Sequence, residues 1–311
     1  MNFDFAEHFR SYIAVDEIFD YVSWEAIIYL IAVFIVLWIG KKLNDWTTPY
    51  SIDTQLTTQD NKALAVSFAG YMLAIAVIIV GVLTEETSLF TQVPEDLSFT
   101  QRLVIVGYEL LDTVVWSIIG IGLLIVSRVI NDKLILSRFD NIKEIIEDKN
   151  VGTGAVQFGT YIGTAFIIKA VIFGEESHWL SNLISTAVFF VLAQLAFVLF
   201  GIFYQKITSY DIHSEIERDN AAAGVAFGLN LAAIGIILSS AIEKTDSLVI
   251  FVIWFVEGAI LLLISRILVD KIILPGEKLS REIQSDSNWG AALIEGSAAI
   301  IIAFLLNASF A

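Results

Sequence analysis

The chain has no cysteine, two methionines, three prolines and three histidines in 311 residues. Without cysteine there is no disulfide framework, no thiolate metal site and no catalytic thiol. The histidines (His8, His178 and His213) lie far apart in sequence, so a histidine metal cluster is not expected and no metal site or cofactor is implied. Charge is scarce as well. Asp, Glu, Lys and Arg together make up 17% of the chain, against roughly 25% in a soluble domain. What is abundant is apolar surface: 57% of residues are hydrophobic and the mean hydropathy is +0.76. A soluble domain and a disordered chain are both excluded by that combination, despite a formal net charge of −16.

A membrane-crossing helix needs about 20 mainly apolar residues. Eight stretches qualify: Trp24–Lys42, Lys62–Leu83, Asp112–Asp132, Val151–Phe173, Leu183–Lys206, Asn220–Ile242, Ser247–Lys271 and Trp289–Asn307. All are too long and too continuous for membrane β-strands, which alternate over about 9–11 residues. The expected fold class is therefore an all-α polytopic membrane bundle, with the lipid bilayer as its main partner. Of the 18 Lys and Arg, 14 fall in the segments joining spans 1–2, 3–4, 5–6 and 7–8 or at the span ends that border them. By the excess of cations on cytoplasmic loops, those four linkers face the cytoplasm and both termini lie outside. The linkers carry 16 acids and 14 bases, and the opposite segments 16 acids and 3 bases, so most of the net negative charge sits on one face.

One pattern recurs four times. DNKALAVSFAG from Asp60, KNVGTGAVQFG from Lys149, DNAAAGVAFG from Asp219 and SNWGAALIEG from Ser287 each place an Asn before a helix of small residues. These residues, Asn61, Asn150, Asn220 and Asn288, stand where helix N-caps are needed, and a side-chain oxygen there satisfies otherwise unpaired N–H groups. Small residues recur four apart at Ala65/Ala69, Gly159/Gly163, Gly224/Gly228 and Ala292/Gly296, which in lipid lets helix backbones approach closely. LLIVSRVINDKLIL from Leu123 resembles LLLISRILVDKIIL from Leu261, and the linkers share an acidic amphipathic stretch: IKEIIEDKN, IHSEIERDN and LSREIQSDSN. The unit is helix, linker, helix, so four two-helix units insert the same way up. The expected organisation is an amphipathic N-terminal segment (1–23), a first four-helix half (24–174) and a second four-helix half (175–311), with small-residue helices inside and helices rich in Phe, Trp, Ile and Leu toward lipid.

This hairpin, with its basic linker start, acidic stretch and Asn before a small-residue helix, resembles the bacterial inner-membrane family called domain of unknown function 350. A typical member has two hairpins, so this chain resembles a tandem duplication. The resemblance implies an inner-membrane protein without an established activity, and a weak association with envelope stress.

Ionisable groups inside a membrane are costly and are functional candidates by default. Glu257 lies near the middle of span 7. Glu295 lies near the middle of span 8, aligned with Phe68, Gln157 and Phe227 in the other units. Gln194 and Asn230 lie at nearby depths, and Gln157 lies closer to the linkers. Glu257, Glu295, Gln194, Asn230 and Gln157 are the candidates for an ion or proton path. The two glutamates also fit two other roles: hydrogen-bonded glue between helices, or groups facing a partner subunit or lipid. Lys169 reads as a residue snorkelling to the interface, with an ion pair to Glu109 or Asp112 as the alternative. The outer connection Ser88–Leu110 contains an apolar part suited to a short interfacial helix, and the first 23 residues alternate aromatics with acids. No P-loop, HExxH or GxSxG pattern occurs, so no enzyme activity and no nucleic-acid binding are expected. The functional expectation is an ion, proton or small-solute channel or transporter. The alternative is a non-enzymatic scaffold, or envelope-stress component, that docks a cytoplasmic protein through its acidic linkers. Homo-oligomerisation fits either.

Overall fold

A computed structural model of the chain describes residues 25–85, 98–172, 179–245 and 247–309. The aromatic N-terminal segment and most of the connection after residue 85 lie outside the described residues. Eight long helices are apolar enough to cross a membrane: α1 (Glu25–Thr47), α2 (Lys62–Glu85), α3 (Phe99–Ile130), α5 (Val151–Ile172), α6 (Trp179–Ile207), α8 (Ala221–Lys244), α9 (Leu248–Leu268) and α11 (Trp289–Ser309). Three short helices lie in the linkers: α4 (Asn141–Ile146), α7 (Ile212–Glu217) and α10 (Leu279–Gln284). The linker after α1 carries a π-helical turn instead, Thr54–Thr58. The protein is an all-α polytopic membrane protein.

The third span departs from the sequence reading. Part of the connection Ser88–Leu110, read as containing an apolar stretch suited to a short interfacial helix, is continuous with the span in one 32-residue helix, Phe99–Ile130. The reason is local. Ser98 and Gln101 form a capping box, in which the Ser98 hydroxyl accepts from the Gln101 N–H and the Gln101 side chain accepts from the Ser98 N–H, so the helix starts there.

The small-residue helices form a row in the order α2, α5, α8, α11, and their backbones touch. A Cβ placed on Gly159 of α5 would lie 1.8 Å from the Gly228 carbonyl oxygen of α8. One on Gly70 of α2 would lie 2.6 Å from the Cα of Phe158 in α5. Lipid offers no hydrophobic drive to pair helices, so this close approach is what lets dispersion hold them. Burial follows position in the row: 83% of the α8 span residues and 78% of the α5 residues are buried, against 33% in α11 at the end. The remaining long helices, α1, α3, α6 and α9, flank the row and expose Phe, Trp, Ile and Leu side chains, as on the outer faces of α1 and α9.

The linkers gather at one end of the bundle and are fastened by one contact set. The residues just before the four Asn, namely Asp60, Lys149, Asp219 and Ser287, all adopt left-handed backbone with φ of 48°, 56°, 69° and 47°. That conformation costs a non-glycine residue about 1 kcal/mol or more, and it reverses the chain. The reversal lets each Asn N–H reach back to the carbonyl of Gln55, Glu144, Glu215 or Glu282. Each Asn side-chain oxygen accepts from the N–H three residues on, in Leu64, Thr153, Ala223 or Ala291. Each side-chain amide donates to the side chain of the same Gln or Glu, at 2.9, 2.7, 3.2 and 2.8 Å.

Three of the four amides also bond to the next linker. Asn61 donates to the Ile145 carbonyl of α4 (2.8 Å), Asn150 to the Ile216 carbonyl of α7 (2.5 Å) and Asn220 to the Ile283 carbonyl of α10 (2.8 Å). Asn288 makes no such bond among the described residues and is exposed, while the other three are buried. Linkers one and three share a further pattern. Asp45 accepts from the Ile52 N–H and Gln205 from the Ile212 N–H, and the Thr48 and Thr208 hydroxyls donate to the Tyr50 and Tyr210 carbonyls. Linkers two and four instead open with π-helical turns, Asn131–Ile135 and Val269–Ile273.

Asn150→Ala removes a cap and an inter-linker bond at a buried position. It should cost about 1–3 kcal/mol, measured as a lowered Tm of the detergent-solubilised protein. Asn288→Ala should cost less than half of that, and equal losses would contradict the role of the inter-linker bond. Glu144, beside Asn150, is pushed by burial above its ordinary value of 4.5. Its charged form is therefore disfavoured in the folded state, and stability falls as pH rises from 4.5 through that raised value. Glu144→Gln, which copies Gln55 in the first linker, should keep the amide contact and flatten this part of the stability–pH profile.

Candidate functional site

Two buried polar nodes lie at the linker end of the spans, at matching places in the two halves. Each is built on an Arg one turn before a π-helical turn: Arg128 in α3 and Arg266 in α9. π-turns open the helix ladder and often mark functional positions.

In the second half, the Arg266 guanidinium bonds to the Glu295 carboxylate of α11 and donates to the Tyr204 hydroxyl of α6 at 2.9 Å. Tyr204 donates in turn to the same Glu295 oxygen at 2.8 Å. A weaker bond runs from Arg266 to the Ser280 hydroxyl at 3.4 Å. The Arg266 side chain also lies over the Tyr204 ring, 5.5 Å from its centroid. Glu295 is only 1% exposed, and its second oxygen has no hydrogen-bond partner. Arg266 and Glu295 neutralise each other, which is the condition for keeping charge at that depth, and one Glu295 oxygen is left over.

In the first half, Arg128 bonds to the Asn44 side-chain oxygen and donates to the Thr47 hydroxyl at 3.0 Å. Gln157 of α5 stands where Glu295 stands in α11, and donates to Asp132 at 3.0 Å. It also accepts from the Ser67 hydroxyl of α2 at 2.6 Å. From this node a polar ladder runs along α5 into the membrane. Asn131 bonds weakly to Asp132 at 3.5 Å and accepts from Thr160 at 3.1 Å. One helical turn further, Ser127 and Thr164 are bonded at 2.9 Å, and Gln194 of α6 donates to Thr164 at 3.4 Å. Among the described residues the Gln194 carbonyl oxygen and the buried Ser117 hydroxyl have no hydrogen-bond partner. The second half lacks this ladder, because Val269, Ala298 and Ile302 occupy the positions of Asn131, Thr160 and Thr164.

A cleft of about 140 Å³ opens beside Arg128, Asp132 and Gln157, and one of about 160 Å³ beside Arg266, Asp270 and Lys278. Among the described residues no group of three or more His, Asp or Glu is placed to hold a metal ion.

The structure separates the sequence candidates. Gln157 and Gln194 belong to one ladder. Glu295 is in the second node. Asn230 is buried in α8, its amide donating to the Ala226 carbonyl of its own helix at 2.9 Å. Glu257 is exposed on α9, while Glu295 is bonded to Arg266 and Tyr204; similar depth does not bring the two glutamates together. Lys169, read as snorkelling with an ion pair to Glu109 or Asp112 as the alternative, pairs with Glu243 of α8 at 2.9 Å. Sequence reasoning counted Arg128 and Arg266 among linker cations. The signal for them was the repeated Ser-Arg, followed by Asp four residues later, in the two matching segments.

Four helix–linker–helix units carrying two matched Arg nodes define a duplicated polytopic membrane protein. The family described as Domain of Unknown Function (DUF350) matches residues 15–172 and again 178–310, and the chain belongs to that family as a tandem pair. The chain is similar to a "UPF0719 transmembrane protein" of Aquifex aeolicus (strain VF5), 28% identical over 194 residues, covering 61% of this chain and 69% of that one. It is also similar to the "UPF0719 transmembrane protein YshE" of Bacillus subtilis (strain 168), 29% identical over 112 residues, covering 36% of this chain and 83% of that one. No solved structure matches.

Removing one member of a buried ion pair leaves an uncompensated charge, at a cost of about 3–5 kcal/mol. Arg266→Leu should therefore lower the yield and Tm of the folded protein sharply. Arg266→Leu combined with Glu295→Leu should recover most of the loss, and additive losses in the double variant would show that the pair is not the cause.

Proposed function

We propose that the protein is a non-enzymatic membrane protein that moves protons or a small cation, oriented with its linkers in the cytoplasm of a bacterial inner membrane. The observation that carries this reading is the ladder from Gln157 and Asp132 to Thr164 and Gln194. Buried polar side chains are expensive in lipid, and a file of them ending on unpaired oxygens offers successive sites to a proton or a partly dehydrated cation. Asp132 at the cleft supplies the acidic entrance. Arg128, which lines the same cleft, offsets part of that negative charge. The orientation rests on the 14 cations gathered at the linker end.

A second reading is a membrane scaffold, favoured by the backbone contacts along α2, α5, α8 and α11. Docking through the acidic linkers fits it less well, because Glu144, Glu215 and Glu282 are engaged by the Asn amides.

Purified protein in liposomes, loaded with a pH-sensitive or cation-sensitive dye, tests the first reading. Flux is expected from the unaltered chain, reduced at least tenfold by Gln157→Leu with Gln194→Leu in protein that elutes as a folded species. Absence of proton, sodium and potassium flux from the unaltered chain would sink the transport reading and leave the scaffold.

A further inference from the structure

Among the described residues the row of small-residue helices is open at both ends, and its two ends match. At each junction the same pair of positions touches: Gly70 of α2 against Phe158 of α5, Gly159 of α5 against Gly228 of α8, and Leu229 of α8 against Gly296 of α11. Counting from each Asn, the next such pair would be Ser297 of α11 against Ala69 at the start of the row. Both residues are exposed and both are small. One turn nearer the linkers, the pair Gly152 and Gly224 would be repeated by Gly290 and Ala65. A Cβ on Gly290 would meet no atom of another helix.

The flanking helices carry the same signature. Phe190 and Gln194 of α6 are 5% and 4% exposed; their counterparts in α1, Leu30 and Phe34, are 57% and 64% exposed. At the linker end, Asn288 is, among the described residues, the one clasp residue whose amide meets no carbonyl of another linker.

We propose that these two ends bind each other in trans: the α11 end of one chain docks on the α1/α2 end of a second copy. The contact would be the α5–α8 junction over again. In this chain that junction already joins one family module, residues 15–172, to another, residues 178–310. The four linkers lie at one end of the bundle, so a second copy joined this way stands the same way up in the same bilayer. The interface is head-to-tail, with different surfaces on the two partners, and gives a closed ring or a row of copies according to its rotation. The inference is independent of transport.

A chain without cysteine allows a direct test. Two differently tagged copies, one with Ser297→Cys and one with Ala69→Cys, are co-expressed and oxidised in membranes. A disulfide-linked pair carrying both tags is expected, since the equivalent backbones touch within disulfide reach. Neither variant expressed alone should cross-link to itself. Self-linked pairs of one variant would mean a two-fold interface and would overturn the proposal, as would absence of the mixed product. A chain bearing both substitutions should give a ladder of dimers and larger species; a product of unchanged mass would mean that the ends meet within one chain, again overturning it. If the variants do not accumulate, the mass of the unaltered protein in lipid nanodiscs decides: multiples of the chain support the interface and monomers alone refute it.

Discussion

The side-chain amide of one asparagine, used four times, organises the whole molecule. A helix entering a membrane leaves its first N–H groups without partners, and lipid supplies none. Asn61, Asn150, Asn220 and Asn288 meet that demand with the side-chain oxygen and spend the amide nitrogen on the linker behind and, in three cases, the linker ahead. One residue thus fixes where a span begins, how its own linker folds and how far away the next unit stands. The spacing of the row follows, and with it the need for glycine and alanine where the backbones touch. The left-handed residue before each Asn is the cost of making the turn that aims it.

Much of this was legible in the sequence because lipid imposes simple rules. Length and hydropathy mark eight spans, and repetition marks the four Asn and the small-residue helices. What stayed hidden was rotation about each helix axis. Glu257 and Glu295 have similar depths along their helices, but depth says nothing of direction, and α9 is apolar around most of its circumference. Glu295 turns inward to Arg266 while Glu257 turns outward. The same limit hid the Arg pair: a cation near a span end reads as a linker charge until the fold shows it curling back over Tyr204. The early start of α3 was written in Ser98 and Gln101, but an acidic, polar approach masked the capping box.

Duplication leaves two copies of one node under different constraints. The first half keeps a mostly neutral version, with Asn44 and Gln157 at the positions of Tyr204 and Glu295, and extends it into a polar ladder. The second half closes its version with an ion pair and fills the ladder positions with Val269, Ala298 and Ile302. The ladder positions are therefore apolar in one half and polar in the other. Two modules with matching clasps can diverge in this way because each clasp fixes the start of its span whatever the node carries.

The clasps also impose an order in time. Three of the four amides bond to a carbonyl that lies in the next linker, so the first three units cannot complete their polar contacts until the following one has been synthesised. With the chain growing at about 5–20 residues per second, each finished span waits some seconds with an unanswered amide at the membrane surface. Assembly is then directional, closing from the N-terminal hairpin toward the last, and each new hairpin is received by a partner already in position.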